Sequence, residues 1–269
     1  MGDIVAMLGH GFMQRALAGG IAIGIVASFL GAFVVQRRLG YLAGGLSHAA
    51  FGGVALGILL GVAPLAVALP FTIAIAVAIH AVQDRSPISS DSAIGVFFSV
   101  SMALGIVFLA LTPRYSADAF AFLFGSILSV SAWDVAAAWA LLIASVASMP
   151  LWGRWAMATF DAELARADGH PTRRHDLLLF VFLAVVIVIS IKIVGMVLAG
   201  AFTVIPAAAA RLGCVRFSSM TMLSVAIGVA SVVLGLCGSV AFNLPSGATI
   251  ILVQAVIFLV MLTVRPRGT

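Results

Sequence analysis

The chain has 269 residues, of which 63% are hydrophobic and 9% are charged, and its mean hydropathy is +1.25. Soluble domains carry about 25% charged residues, so the composition excludes a water-soluble globular protein and predicts an all-α polytopic membrane protein. The formal net charge of +5 does not indicate nucleic-acid binding, because the basic residues are scattered through short loops and form no single patch.

Apolar runs of about 20 residues, each long enough to cross a bilayer as a helix, recur from end to end. The predicted spans are 12–35, 45–62, 64–82, 92–112, 133–153, 177–196, 220–242 and 247–264. Two shorter apolar segments, 119–130 and 199–212, suggest broken or half-crossing helices, which are tolerated only where protein or a cavity surrounds them. The sequence therefore predicts a single transmembrane domain over 1–269 with about eight to nine transmembrane helices.

The basic residues predict the orientation of these spans. Eleven of the 14 Lys and Arg residues lie in or at the edge of the segments 36–44, 83–91, 154–176, 213–219 and 265–269. Because cytoplasmic loops carry an excess of positive charge, these segments are predicted to face the cytoplasm, with the N-terminus outside and the C-terminus inside. Nine crossings agree with this orientation if 199–212 crosses the membrane and 119–130 does not.

The second predicted span contains His48, inside a run of 45 residues without Asp, Glu, Lys or Arg that extends from Leu39 to Gln83. An ionisable group at membrane depth is costly and usually faces a bundle interior or a polar pathway. Imidazole is also the commonest protein ligand for metals. His48 is therefore either a metal ligand in a membrane pathway or a packed residue bonded to a neighbouring helix.

The only extended hydrophilic loop covers 154–176 and has an amphipathic pattern. Phe160, Leu164 and Ala167 fall on one helical face, the charged residues fall elsewhere, and Gly169 followed by Pro171 ends the pattern. A short cytoplasmic helix of this kind is suited to docking a motor protein, or to lying on the lipid surface.

Motifs for catalysis are missing from the sequence. A phosphate-binding GxxxxGK[ST] loop needs a lysine, and the only lysine is Lys192, in VISIKIVG. No H-E-x-x-H or G-x-S-x-G motif occurs either, so the chain is not predicted to be an enzyme. Lys192 lies late in a span, where it either snorkels to the outer headgroups or neutralises a partner carboxylate or a carbonyl-rich break.

Four stretches, in this order, carry a resemblance to a known family. They are RRLGYLAGGLSHAAFGGVALG (37–57), SSDSAIGVFFSVSMALGIVFL (89–109), TFDAELARADGHP (159–171) and SIKIVGMVLAGAFTVIPAAAARL (190–212). NLPSGATIILVQAVIF (243–258) fits as well. With these motifs the chain resembles the membrane permease subunits of bacterial ABC importers for zinc, manganese and ferrous iron.

The resemblance implies a multi-pass permease of the bacterial plasma membrane, paired with a second copy or a paralogue so that the pore lies at the subunit interface. Two cytoplasmic ATP-binding subunits would dock on a coupling helix at about 159–171, and an extracytoplasmic metal-binding protein would deliver the metal. The metal is then the transported substrate, and no permanently bound cofactor is expected. The implied coupling residues are Asp161, Glu163, Leu164, Arg166 and Gly169.

The chain departs from the family at one informative position. The family helix usually reads GDALSHA, with an aspartate four residues before the histidine, whereas this chain reads AGGLSHA and has Gly44 there. Because Mn²⁺ favours oxygen ligands and imidazole suits Zn²⁺, the sequence favours zinc over manganese as the substrate, with Mn²⁺ and Fe²⁺ as the alternative ions. Ser47 and Lys192 are the other candidate polar groups of the pore.

Two alternative transport functions remain open at the sequence level. One is import of a chelated metal of the siderophore or corrinoid type, whose pore would not need a buried histidine. The other is a metal carrier without an ATPase, which would be expected to show inverted repeats and intramembrane carboxylates. All nine Asp and Glu residues fall in loops or at span ends, which argues against a proton-coupled carrier.

Overall fold

A computed structural model describes residues 10–112, 122–125, 129–169 and 171–264. The described part of the chain contains helices and no strand. Numbered along the chain, the helices are α1 Gly11–Gln36, α2 Gly40–Leu59, α3 Pro64–Arg85, α4 Ser90–Ala110, α5 Ala132–Ala147, α6 Met149–Phe160, α7 Ala162–Ala167, α8 Thr172–Val194, α9 Met196–Gly213, α10 Phe217–Phe242 and α11 Ser246–Val264. The predicted all-α class is confirmed.

Eight of these helices, namely α1 to α4 and α8 to α11, are long and apolar enough to cross a membrane. Helices α5 and α6 meet at Ser148 with a bend of 68°, and together they would form a ninth span. Pro150 lies in the first turn of α6, where its missing N–H costs no helical hydrogen bond. The prediction of eight to nine transmembrane helices is confirmed.

Helices α1 and α2 are the most deeply buried spans of the bundle. Helix α1 packs against α5, α8, α9 and α10, whereas α2 packs against α3, α4 and α9. Glycines on α2 permit this closeness: a Cβ atom at Gly53 would lie 2.6 Å from the Ala68 Cα, and one at Gly57 would lie 2.7 Å from the Pro64 Cα. Gly53 and Gly57 therefore serve the close packing of α2 against α3 within one chain.

Helix α9 starts inside the bundle, halfway along α2, and runs antiparallel to it. Met196, its first residue, lies beside Ser47, Gly200 contacts the backbone of Gly44, and Val204 lies beside Gly40. With 18 residues, α9 is longer than the predicted segment 199–212, and it continues as a helix through Pro206. The break in the chain lies in front of it, at Gly195, whose φ is 90°.

Three glycines, Gly125, Gly195 and Gly247, lie close together beside the start of α9, where helical segments end or begin. Residues 122–124 form one helical turn that ends at Gly125, whose φ is 74°. A Cβ atom at Gly125 would lie 2.6 Å from the Gly195 nitrogen, and Gly247 at the start of α11 abuts the Val194 carbonyl. Phe122 and Leu123 pack against a buried cluster that includes Val54. The described part of the predicted half-crossing 119–130 is thus partly buried against the bundle, with Phe124 50% exposed; residues 119–121 and 126–128 lie outside the described ranges.

Candidate functional site

The imidazole of His48 lies near the middle of α2 and is half-buried. Its ring packs edge-to-face against Phe98 of α4, with 5.3 Å between the ring centroids and 72° between the planes. No hydrogen bond or ion pair to another described residue holds the imidazole. The ring is therefore positioned by packing alone, which leaves both of its nitrogens available to a ligand.

The surface around His48 is open on one side of the chain. Gly44 and Tyr41 lie four and seven residues before His48, on the same helical face. A Cβ atom at Gly44 would have no heavy atom within 4 Å. Tyr41 is 50% exposed and lies beside Gly95 of α4. The face formed by Tyr41, Gly44 and His48, here called the α2 face, is partly exposed at the surface of the chain.

The described residues do not complete a metal site by themselves. No group of three or more His, Cys, Asp and Glu side chains comes together in the described ranges. Transition metals in proteins take four or more ligands, of which a single histidine supplies one. Any ion held at His48 must therefore draw its other ligands from water or from groups outside the α2 face.

Ser47, a candidate pore group in the sequence, points the opposite way. It is 1% exposed, and its hydroxyl donates a hydrogen bond to the carbonyl of Met196. This carbonyl belongs to the first turn of α9, directly after the break at Gly195. Ser47 thus fastens the start of α9 behind α2 at the depth of His48.

Lys192 pairs with a carboxylate. Its Nζ atom lies 2.9 Å from the Asp134 Oδ2 atom, and the two side chains are only 26% and 19% exposed. Asp134 also accepts hydrogen bonds from the amide and hydroxyl of Ser131, which form a capping box at the start of α5. Of the two sequence interpretations of Lys192, the structure favours the partner carboxylate. The Ser131–Asp134 spacing is the signal that would have identified this helix start.

The predicted coupling residues lie together on an exposed segment. Asp161 ends α6 and caps α7, accepting hydrogen bonds from the amides of Glu163 and Leu164 at 3.1 and 2.8 Å. Helix α7 is therefore only six residues long, because the cap separates it from α6. Gly169 follows with a φ of 76°, as expected for the stop after a helix.

The surface of α7 combines apolar and charged groups. Leu164 is 52% exposed and Phe160, just before the cap, is 58% exposed. Glu163 and Arg166 are exposed beside them, whereas Ala165 is fully buried and anchors the helix. Exposed apolar side chains with a charged rim are typical of a protein-binding surface.

Sequence reasoning missed one residue of this region. Arg37, interpreted only as a topology signal, binds the last turn of α6 and the first turns of α8. Its partners are more than 100 residues away along the chain, so no local pattern predicts the contact.

Comparison with known proteins gives consistent results along the chain. The sequence model of the ABC 3 transport family matches residues 9–265. The manganese transport system membrane protein MntC of Listeria innocua is 33% identical over 97% of this chain and 93% of its own length. The manganese import system permease protein ScaB of Streptococcus gordonii is 35% identical over 95% of this chain and 92% of its own.

A solved structure shares both sequence and fold. PsaBC from Streptococcus pneumoniae, determined in complex with a Fab, contains a chain that is 33% identical and superimposes with a TM-score of 0.88. The match covers 99% of this chain and 96% of that one.

Proposed function

This chain belongs to the ABC 3 transport family, a family that includes permeases of metal ABC importers, and from that premise we propose that it moves a divalent transition metal inward through a pore containing His48. The observation that carries the proposal is the imidazole itself. It lies at mid-span on an inner helix, is positioned by packing that includes the ring of Phe98, and faces an open surface. A structural histidine at this depth would be expected to bond to a neighbouring helix.

A second copy of the chain is the proposed source of the missing ligands. Two α2 faces related by a two-fold axis would bring two imidazoles to one pore, an arrangement that a cyclic pair produces automatically. The metal is then cargo, bound transiently, and no resident cofactor is required.

Manganese is the first ion to test, because the relatives from Listeria innocua and Streptococcus gordonii are named for it. Zinc is the second candidate, and Gly44 is the observation that favours it. A pore with imidazoles and no carboxylate at this position suits Zn²⁺ better than Mn²⁺.

The partners follow from the exposed segment around α7. We place two ATP-binding subunits here, one on each copy of the chain. Each would contact Phe160 and Leu164, with Glu163 and Arg166 at the rim of the contact. The excess of basic residues supports a cytoplasmic location for this segment, so an external metal-binding protein would dock at the opposite end. ATP hydrolysis belongs to the partner subunits.

Metal uptake into proteoliposomes tests the proposal. The chain is reconstituted with its ATPase and binding protein, and Mn²⁺, Zn²⁺, Fe²⁺, Co²⁺ and Ni²⁺ are compared with ATP inside or absent. We expect ATP-dependent uptake that falls by at least about tenfold in His48→Ala, the effect of losing about 1.4 kcal/mol of ligand stabilisation.

The matched control is His80→Ala. His80 lies in the last two turns of α3 and packs on Phe180 of α8. Equal uptake in the wild-type and His48→Ala proteins would reject His48 as a pore ligand. Uptake of none of the five ions, with ATP hydrolysis intact, would transfer the proposal to a chelated metal.

A further inference from the structure

The guanidinium of Arg37 holds three helices together at one end of the bundle. Arg37 is the C-cap of α1, and its side chain is 11% exposed. Its Nε atom donates to the Thr159 Oγ1 atom at 2.8 Å, and Nη2 donates to the Trp155 carbonyl at 3.3 Å, both in α6. Nη1 forms an ion pair with Asp176 in α8. A planar group with five donors is suited to such a three-way contact.

These contacts grip both ends of the segment that carries α7. Thr159 lies two residues before the cap of α7, and Asp176 lies in the second turn of the helix that follows it. Thr159 is itself fixed, since its hydroxyl donates to the Trp155 carbonyl at 2.6 Å. A displacement of α7 by a bound partner therefore pulls on the Arg37 side chain from both ends of the segment.

On its other side, Arg37 is joined to α2 by a stiff connection. The amide of Arg38 donates to the Val35 carbonyl at 3.1 Å, and that of Leu39 donates to the Val34 carbonyl at 2.8 Å. These two bonds form a Schellman motif, with Arg38 in the left-handed conformation at a φ of 59° and Leu39 packed near Val34. Helix α2 begins directly afterwards, at Gly40, and His48 lies about two turns further along it.

From this geometry we propose that Arg37 is a positioning residue that transmits movement of the α7 segment to α2, and so to His48. The inference rests on the proposed function, because it takes α7 as the surface on which the ATPase acts. It adds a specific route: from α7 through Thr159 and Asp176 to the guanidinium, through the Schellman motif to α2, and along α2 to the metal.

The experiment compares metal transported per ATP hydrolysed in the reconstituted complex. For Arg37→Gln and Asp176→Asn we expect the complex to assemble and hydrolyse ATP while transport per ATP falls about tenfold, within the range for substitutions along a coupling route. Arg37→Lys keeps the charge, but its three donors sit on one nitrogen and lack the fixed planar fork that reaches α6 and α8 together, so it should lie between the wild type and Arg37→Gln.

Arg174→Gln is the matched control, since it removes an exposed arginine of the same end of the bundle and should leave transport per ATP unchanged. If Arg37→Gln does not assemble, Asp176→Asn and Thr159→Val decide the question. Unchanged transport per ATP in both would overturn the proposal.

A second measurement does not depend on transport. Spin labels are placed at position 41 and at the exposed C-cap of α7, by Tyr41→Cys and Asp168→Cys, after both free cysteines, Cys214 and Cys237, have been replaced by serine. With Arg37 intact, the distance between the labels should stay narrow and constant when ATP and the ATPase are added, because α2 and the α7 segment move together.

In Arg37→Gln the distance distribution should broaden or shift on adding ATP. A distribution that stays narrow in the variant overturns the proposal, even if transport of every tested metal fails. The opposite outcome rejects only the proposed function. In that case the complex hydrolyses ATP but transports no metal, while the label distance stays narrow with Arg37 intact and broadens or shifts in Arg37→Gln. The role of Arg37 would then stand.

Discussion

At the residue scale, the metal preference proposed for the α2 face depends on the relation between Gly44 and His48. The two positions are one helical turn apart, and the space in front of Gly44 is empty within 4 Å of a Cβ atom. A carboxylate placed there would reach the same volume as the imidazole without displacing a neighbour. Packing therefore does not require glycine at position 44, and under the proposed function a side chain there would change the ligand chemistry.

Gly44→Asp should shift uptake toward Mn²⁺ relative to Zn²⁺. A carboxylate adds a hard oxygen ligand beside each imidazole, which Mn²⁺ prefers, and we expect the Mn²⁺ to Zn²⁺ ratio to rise about tenfold, equivalent to about 1.4 kcal/mol. The measurement is competitive uptake of the two ions into proteoliposomes.

The control for this substitution is Gly153→Asp, since a Cβ atom at Gly153 on α6 also has no heavy atom within 4 Å. It should leave the ratio unchanged. A metal profile that does not respond to Gly44→Asp would show that position 44 does not contact the ion.

Residues differ in how far the sequence predicts their surroundings. His48 stands out from sequence alone, because it lies inside a predicted span in a 45-residue run without charged residues, whereas His80 in the same run lies near a span end. The partner of Lys192 does not, since Asp134 is 58 residues away along the chain. Ser47 adjoins His48 in sequence, yet the 100° step of a helix turns it toward Met196.

At the scale of elements, the junction of Gly125, Gly195 and Gly247 shows how breaks are accommodated within the bundle. Half-helices leave backbone groups that lipid cannot satisfy. In this structure the breaks are packed against one another inside the bundle. Hydropathy detects such segments as short apolar runs but does not show which of them meet, so 119–130 and 199–212 were predicted only as separate pieces.

Gly195→Ala should destabilise the chain more than Gly61→Ala. Both glycines have positive φ values, 90° and 66°, so each alanine costs about 1 to 3 kcal/mol of backbone strain. At Gly195, a Cβ atom would also lie 2.6 Å from the Leu123 carbonyl oxygen, whereas at Gly61 it meets nothing within 4 Å.

Thermal unfolding of the purified chain in detergent measures this difference, with the lower midpoint expected for Gly195→Ala. Equal midpoints would mean that the 122–125 turn moves aside freely and that the junction does not stabilise the bundle.

At the scale of the whole molecule, the sequence predicts the number and positions of the spans well because each span is a local property of length and hydropathy. The coupling segment shows the limit of such patterns. Its amphipathic face predicts one helix over 159–171. The structure differs, because the side chain of Asp161 caps a new helix instead of continuing the old one. Helix α6 therefore ends at Phe160, and α7 covers Ala162–Ala167. The last turn of α6 is also bound by Arg37, which lies 122 residues away along the chain, so no local pattern predicts that contact.

The orientation of the whole chain is testable by cysteine labelling. In a background without Cys214 and Cys237, Val62→Cys in the α2–α3 loop should react with a membrane-impermeant maleimide in intact cells. Val215→Cys, at a position that is 97% exposed between α9 and α10, should react only after permeabilisation. The reverse pattern would invert the proposed topology and place α7 outside.

The ion pair between Arg37 and Asp176 also has a consequence for the order of events during synthesis. The two residues are 139 positions apart, so at about 5 to 20 residues per second the ribosome needs roughly 7 to 30 s to reach the acidic partner. Throughout that interval Arg37 is an unneutralised charge beside Arg38, and in the proposed topology it would help to retain the α1–α2 loop in the cytoplasm. Once α8 has been made, Arg37 is withdrawn from water and Arg38 alone stays exposed. In the proposed topology, one arginine would thus act first as an insertion signal in the nascent chain and later as a contact in the finished protein.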